Sequence, residues 1–180
     1  LAIEAGSRAQ IPTVALASFT WDLVLKEYCT ATDNSHQQLI QYIRGSYAKA
    51  AMALRITPAP KIDVFSNIID IAPIASPAFP ERDRLASALA LAPNERTVLV
   101  GFGGIPLKSL PLEQIEQLRH YRFLFDGPVP PGYSRIHSTE TLPFSFKTLL
   151  ASVDIIMTKP GYGTIVEAVA LQQPVVYVRR

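Results

Sequence analysis

At 180 residues the chain has room for one large or two small domains, and 48% hydrophobic against 18% charged residues is ordinary globular composition. A net charge of +2 without any basic stripe gives no footing for nucleic acid, and no run approaches the roughly 18 apolar residues of a membrane helix. The single cysteine, Cys29, excludes an intrachain disulfide and fits a reducing, cytoplasmic setting.

In chain order, residues 1–10 read as the last turns of a helix, ended by Ile11-Pro12 ahead of a strand at 13–17. Ser18-Phe19-Thr20-Trp21-Asp22 stands at the carboxyl end of that strand and turns into a helix reaching about Cys29, with Thr20 or Asp22 available as its cap. Phe19 and Trp21 read either as packing residues or as a surface on which a sugar or base stacks. Ser35 can cap a helix whose apolar stripe is Leu39, Ile40, Tyr42 and Ile43, with His36 a solvated residue of the first turn. Gly45-Ser46 interrupts that stripe, and Tyr47 resumes it before the apolar stretch 52–56. Pro58, Pro60, Pro73, Pro77 and Pro80 punctuate an extended passage that contains residues 68–71 and reads as a connection between two folded halves.

Residues 81–91 form an amphipathic helix, and 97–102 a strand with Gly103 and Gly104 at its carboxyl end. Two phosphate motifs fail at this loop. Pro106 occupies the third glycine position of the dinucleotide fingerprint, while Phe102 and Leu107 occupy the glycine positions of a Walker loop before Lys108-Ser109. A helix at 112–119, a strand at 122–125, the turn Asp126-Gly127-Pro128, a strand around 135–137 and a helix at 146–151 follow.

The stretch 153–180 is the most informative. Its apolar run 154–158 is bounded by Pro160 and Gly161 and reads as a strand buried on both faces. Thr164 and Glu167 have the spacing of a Thr-x-x-Glu capping box, Ile165, Ala168, Val169 and Leu171 follow at helical spacing, and Pro174 precedes a last strand at 175–178. Strand, glycine loop, helix and strand make a βαβ unit, whose loop opens at the carboxyl edge where ligands bind. Gly161 and Gly163 would let a ligand approach the backbone, and the helix start favours an anion, although a turn alone also calls for glycine. Alternation of strands and helices predicts an α/β protein with Rossmann-like, doubly wound parallel sheets.

Four segments together resemble one family: Phe19-Thr20-Trp21-Asp22, Val98-Leu99-Val100-Gly101-Phe102-Gly103-Gly104, Ala151-Ser152-Val153-Asp154, and above all Lys159-Pro160-Gly161-Tyr162-Gly163-Thr164-Ile165-Val166-Glu167-Ala168. They are similar to glycosyltransferases of GT-B architecture, in which two Rossmann-like domains face each other. They resemble in particular the predicted bacterial enzymes related to the transferase that adds N-acetylglucosamine in peptidoglycan synthesis, and the amino-terminal part of plant arabinose kinases. The resemblance implies residues 1–77 as the end of the acceptor-side domain with its linker, and 78–180 as a donor-binding domain, both incomplete.

It further implies a nucleotide-sugar substrate, uridine-based, and transfer to an unknown acceptor, with no cofactor and no metal. Gly103 and Gly104 would form one diphosphate loop; Gly161, Tyr162, Gly163 and Thr164 the other; Lys159 would balance charge and Glu167 would hold the ribose hydroxyls. Pro160 and Ile105-Pro106 depart from the peptidoglycan enzyme's pattern, and the catalytic base is expected ahead of Leu1, so this chain alone is expected not to catalyse transfer. His137 is either near the site or structural. A sugar-nucleotide epimerase and a non-catalytic nucleotide-sugar-binding regulatory module are the alternatives.

Overall fold

The computed structural model describes residues 2–29, 34–76, 78–102 and 110–177. They fall into two compact units, Leu1–Ile74 and Ala75–Arg180.

The first unit contains α1 (Ala2–Arg8), β1 (Val14–Ala17), α2 (Trp21–Tyr28), α3 (Asn34–Tyr47), β2 (Met52–Ile56) and β3 (Ile68–Ile71). The strands form a parallel sheet in the order β1-β2-β3. Strand residues alternate between faces. Ala15, Ala53 and Ile68 accordingly turn to one side, where they join Ala50, Ile62, Val64 and Phe65 with Ile3, Leu23 and Tyr47 in a core. The opposite side carries Val14, Leu16 and Ile69, all exposed.

Two expectations change here. Gly45 does not break α3, which runs through it to Tyr47; the tertiary packing of Ile40 and Tyr47 outweighs the roughly 1 kcal/mol that glycine costs a helix. The proline-punctuated passage is not merely a connection, because it supplies β3 and the core residues Ile62, Val64 and Phe65.

The second unit contains α4 (Arg82–Ala88), β4 (Arg96–Gly101), α5 (Leu112–Glu116), β5 (Tyr121–Phe125), β6 (Ile136–Ser138), α6 (Phe146–Ser152), β7 (Ile155–Thr158), α7 (Tyr162–Ala170) and β8 (Val175–Tyr177). All five strands are parallel, in the order β6-β5-β4-β7-β8. Alternation again sorts the core. Leu99, Leu124 and Ile156 meet Leu85 of α4, Leu149 and Leu150 of α6 and Ala168 of α7. Val98, Val100, Phe123, Phe125 and Ile136 meet Leu112 and Ile115 of α5 on the other face. Helices on both faces explain why these strands read as continuous apolar runs.

The amino edge of this sheet is held by charge. Glu95 Oε1 accepts from Arg122 Nε at 3.1 Å and Arg135 Nη1 at 2.6 Å, and Oε2 accepts from the Ala92 N–H at 3.0 Å. These bonds, that to Arg122 foremost, lower the Glu95 carboxyl to about 2. Asp154 works beside them: its Oδ2 accepts from the Thr97 N–H at 2.8 Å and hydroxyl at 2.9 Å. The aspartate of the Ala-Ser-Val-Asp segment thus ties β4 to the start of β7.

Candidate functional site

At the opposite, carboxyl edge, strand order reverses beside β4: β5 and β6 lie to one side, β7 and β8 to the other. Such a reversal leaves a crevice above the sheet, where open α/β folds bind ligands. β4 and β7 end together, with Gly101 opposite Thr158, and the buried Thr158 hydroxyl donates to the Gly101 carbonyl at 2.8 Å. Gly101 has a packing reason for lacking a side chain, since an added Cβ would lie 3.2 Å from Phe146 Cζ. Phe146 opens α6, capped by the Ser145 hydroxyl accepting from the Thr148 N–H at 3.1 Å. The end of β4 therefore seats the first turn of α6 at the same edge.

Thr158 leads into Lys159 and Pro160, and the Gly161 N–H turns back to the Lys159 carbonyl at 2.6 Å. The expected capping box does not form. α7 begins at Tyr162, three residues earlier than the pattern suggested, with Gly161 as its N-cap and no side-chain cap. The helix gains that turn because nothing in Tyr162-Gly163 prevents helical backbone. Thr164 consequently lies inside the first turn, and its side chain does not cap.

The first intrahelical bond runs from the Ile165 N–H to the Gly161 carbonyl at 3.1 Å, so the amides of Gly163 and Thr164 precede the ladder and point out of the helix end. Gly161 has φ −95° and ψ 131°, extended backbone that any residue adopts. A Cβ on Gly163 would meet no atom within 4 Å, and one on Gly161 only the Lys159 carbonyl at 3.9 Å. Neither conformation nor packing within the described residues calls for glycine at these two positions.

Glu167, released from any capping role, lies in α7 with Oε1 3.9 Å from Lys147 Nζ of α6. That is an ion pair without a hydrogen bond. Lys147 was not legible as a site residue, because nothing in the sequence links the first turn of α6 to the second turn of α7.

Of the sequence-predicted residues, Lys159, Gly161, Tyr162, Gly163, Thr164 and Glu167 thus belong to one loop and helix start at the carboxyl edge. Gly103 and Gly104 lie outside the described residues; their loop departs from Gly101-Phe102 next to Thr158. His137 sits within β6, level with Leu124 of β5, and its Nε2 is buried without a hydrogen-bond partner. Burial pushes its pKa down, with Arg122 adding to the effect and Glu116 opposing it. This is the setting of a structural histidine.

In the first unit, Thr20 is the N-cap of α2 by backbone but makes no side-chain cap bond, and Asp22 is fully buried against Arg44 Nη1 at 2.6 Å. Asp22 is a brace between α2 and α3. Phe19 and Trp21 stay exposed, edge to face at 5.9 Å, beside a cavity of about 450 Å³ that Tyr47 and Phe65 also line. Among the described residues, no three His, Cys, Asp or Glu side chains cluster as a metal site, and no helix is long and apolar enough to cross a membrane.

The second unit is a doubly wound, Rossmann-like domain whose carboxyl edge carries a glycine-bearing helix start. Two solved structures share the fold of nearly the whole chain. The glycotransferase of kitacinnamycin matches with a TM-score of 0.58 at 13% identity, over 98% of this chain and 54% of that one. Spinosyn forosaminyltransferase matches with a TM-score of 0.50 at 17% identity, over 97% and 53%. The fold is that of the GT-B glycosyltransferases. In sequence, the L-arabinokinase of Arabidopsis thaliana is 25% identical over 185 residues, covering 100% of this chain and 17% of the plant protein. The chain therefore spans about half of those solved structures and about a sixth of the plant relative. No family model matches it.

Proposed function

We propose that the second unit binds the nucleotide diphosphate of a sugar donor, with uridine as the base, and that the activity it serves is transfer of that sugar to an acceptor. The observation that carries this reading is the pair Gly161 and Gly163, which stand at a ligand edge without a conformational or packing need for glycine. What glycine provides there is room for something else to approach the backbone. A diphosphate suits that place, because helix-start amides and the helix dipole favour an anion. Gly103 and Gly104 would meet the same diphosphate from the loop leaving β4, with Lys159 balancing its charge.

Glu167 is suited to the ribose. None of its hydrogen-bonding capacity is spent on a cap, and a carboxylate takes both hydroxyls of a vicinal diol. A sugar-nucleotide substrate and the lone Cys29 fit a cytoplasmic setting. An epimerase or a nucleotide-sensing module would use the same donor contacts, and release of free nucleotide from a sugar donor separates transfer from both.

Calorimetry with uridine diphosphate tests the donor site. Binding should be tighter than for nicotinamide dinucleotides, whose fingerprint is broken at Pro106, and Glu167→Ala should weaken it by about 1–3 kcal/mol. Equal affinity for the two nucleotides, or an unchanged affinity in the variant, would refute the assignment.

A further inference from the structure

Lys147 has no evident structural reason to be where it is. It stands in the first turn of α6, where a cation opposes the helix dipole, and its side chain is 52% exposed. Its ion pair among the described residues, to Glu167 at 3.9 Å, is too long for a hydrogen bond, and pairs of this exposure add little to stability. The result, among the described residues, is a cation with its donors uncommitted beside a carboxylate with its acceptors uncommitted, on neighbouring helices at the carboxyl edge.

A ligand that matches both at once carries a vicinal diol and an anion a few ångströms apart. A ribose with a 5′ phosphate has that arrangement. Resting on the donor-site reading above, we propose that Lys147 is a phosphate-contacting residue that makes the site select ribose phosphates over unphosphorylated nucleosides. The diol takes Glu167, the phosphate takes Lys147, and the two charges remain neutralised with ligand bound. The Phe146 ring against Gly101 holds this first turn of α6 at the end of β4, which fixes the cation relative to the sheet.

Uridine and uridine monophosphate, titrated calorimetrically into the 180-residue chain at low salt, separate the two contacts. The wild type should prefer the monophosphate by about tenfold or more, as expected for a charge-assisted hydrogen bond. Lys147→Gln should remove most of that preference while leaving uridine affinity within about twofold, and Lys147→Arg should restore it. Circular dichroism checks that both variants fold, which an exposed position favours. Equal weakening of both ligands by Lys147→Gln would make Lys147 only a holder of Glu167, and an unchanged preference would leave it a bystander; either overturns the proposal while donor binding stands. A wild type that binds neither uridine nor its phosphate would remove the donor site itself, and this proposal with it.

Discussion

Replacing Glu95 with glutamine should destabilise the second unit in a way that depends on pH. The carboxyl falls from 4.5 to about 2 in the folded protein, chiefly through Arg122, then the Ala92 N–H and Arg135. That difference, 4.5 − 2, is roughly 2.5 units and sets a ceiling of roughly 3.4 kcal/mol at about 1.36 kcal/mol per unit. Arg122 and Arg135 are 19% and 25% exposed, so solvent screening reduces the expected loss to about 1–2 kcal/mol at neutral pH. Because the folded pKa is depressed, the stabilisation is full above the unfolded value. It disappears as pH falls through the window from 4.5 to about 2. Urea denaturation of wild type and Glu95→Gln, followed by circular dichroism at about pH 7 and about pH 3, measures the gap between the two proteins directly. Other carboxylates titrate in both and cancel. A gap that is the same at both pH values, or absent at neutral pH, would refute an ionised Glu95 as the fastener of this edge.

Gly163→Ala should raise stability by about 0.5 kcal/mol, since alanine favours helix and meets open space, yet weaken uridine diphosphate binding at least about tenfold; tighter folding with unchanged binding would count against a ligand at this helix start. Thr158→Val should cost about 1–3 kcal/mol in a urea melt by leaving the Gly101 carbonyl without its buried donor, and an unaltered midpoint would show that the tie carries no weight.

The second unit was largely legible in the sequence because its elements announce themselves locally: short apolar runs bounded by glycine or proline, with helical periodicity between them. The runs at 97–102 and 154–158 became β4 and β7 within a residue of expectation. What depended on partners distant in sequence was less readable. The stretch 68–71 looked like connection because it is only four residues among prolines, and it became a strand through pairing with β2. Gly45 looked like an interruption because local propensity weighs against it, whereas α3 is sustained by burial. At the site, the Thr164 and Glu167 spacing was real but the helix starts earlier, so the same residues stand in other positions. Lys147 needed the packing of α6 beside α7 before it could be connected to Glu167 at all.

The Gly101–Thr158 tie joins residues 57 positions apart. Its counterpart in time is a delay during synthesis. At about 5–20 residues per second, β4 leaves the ribosome roughly 3–11 seconds before β7, and throughout that interval one edge of the sheet's central strand has no neighbour. An open edge of this kind templates wrong pairings as readily as right ones. The crevice comes into being only when that late strand arrives, so the proposed nucleotide would have nothing to bind until then. Once β7 has docked, a nucleotide bound as proposed would draw the closed seam forward by mass action.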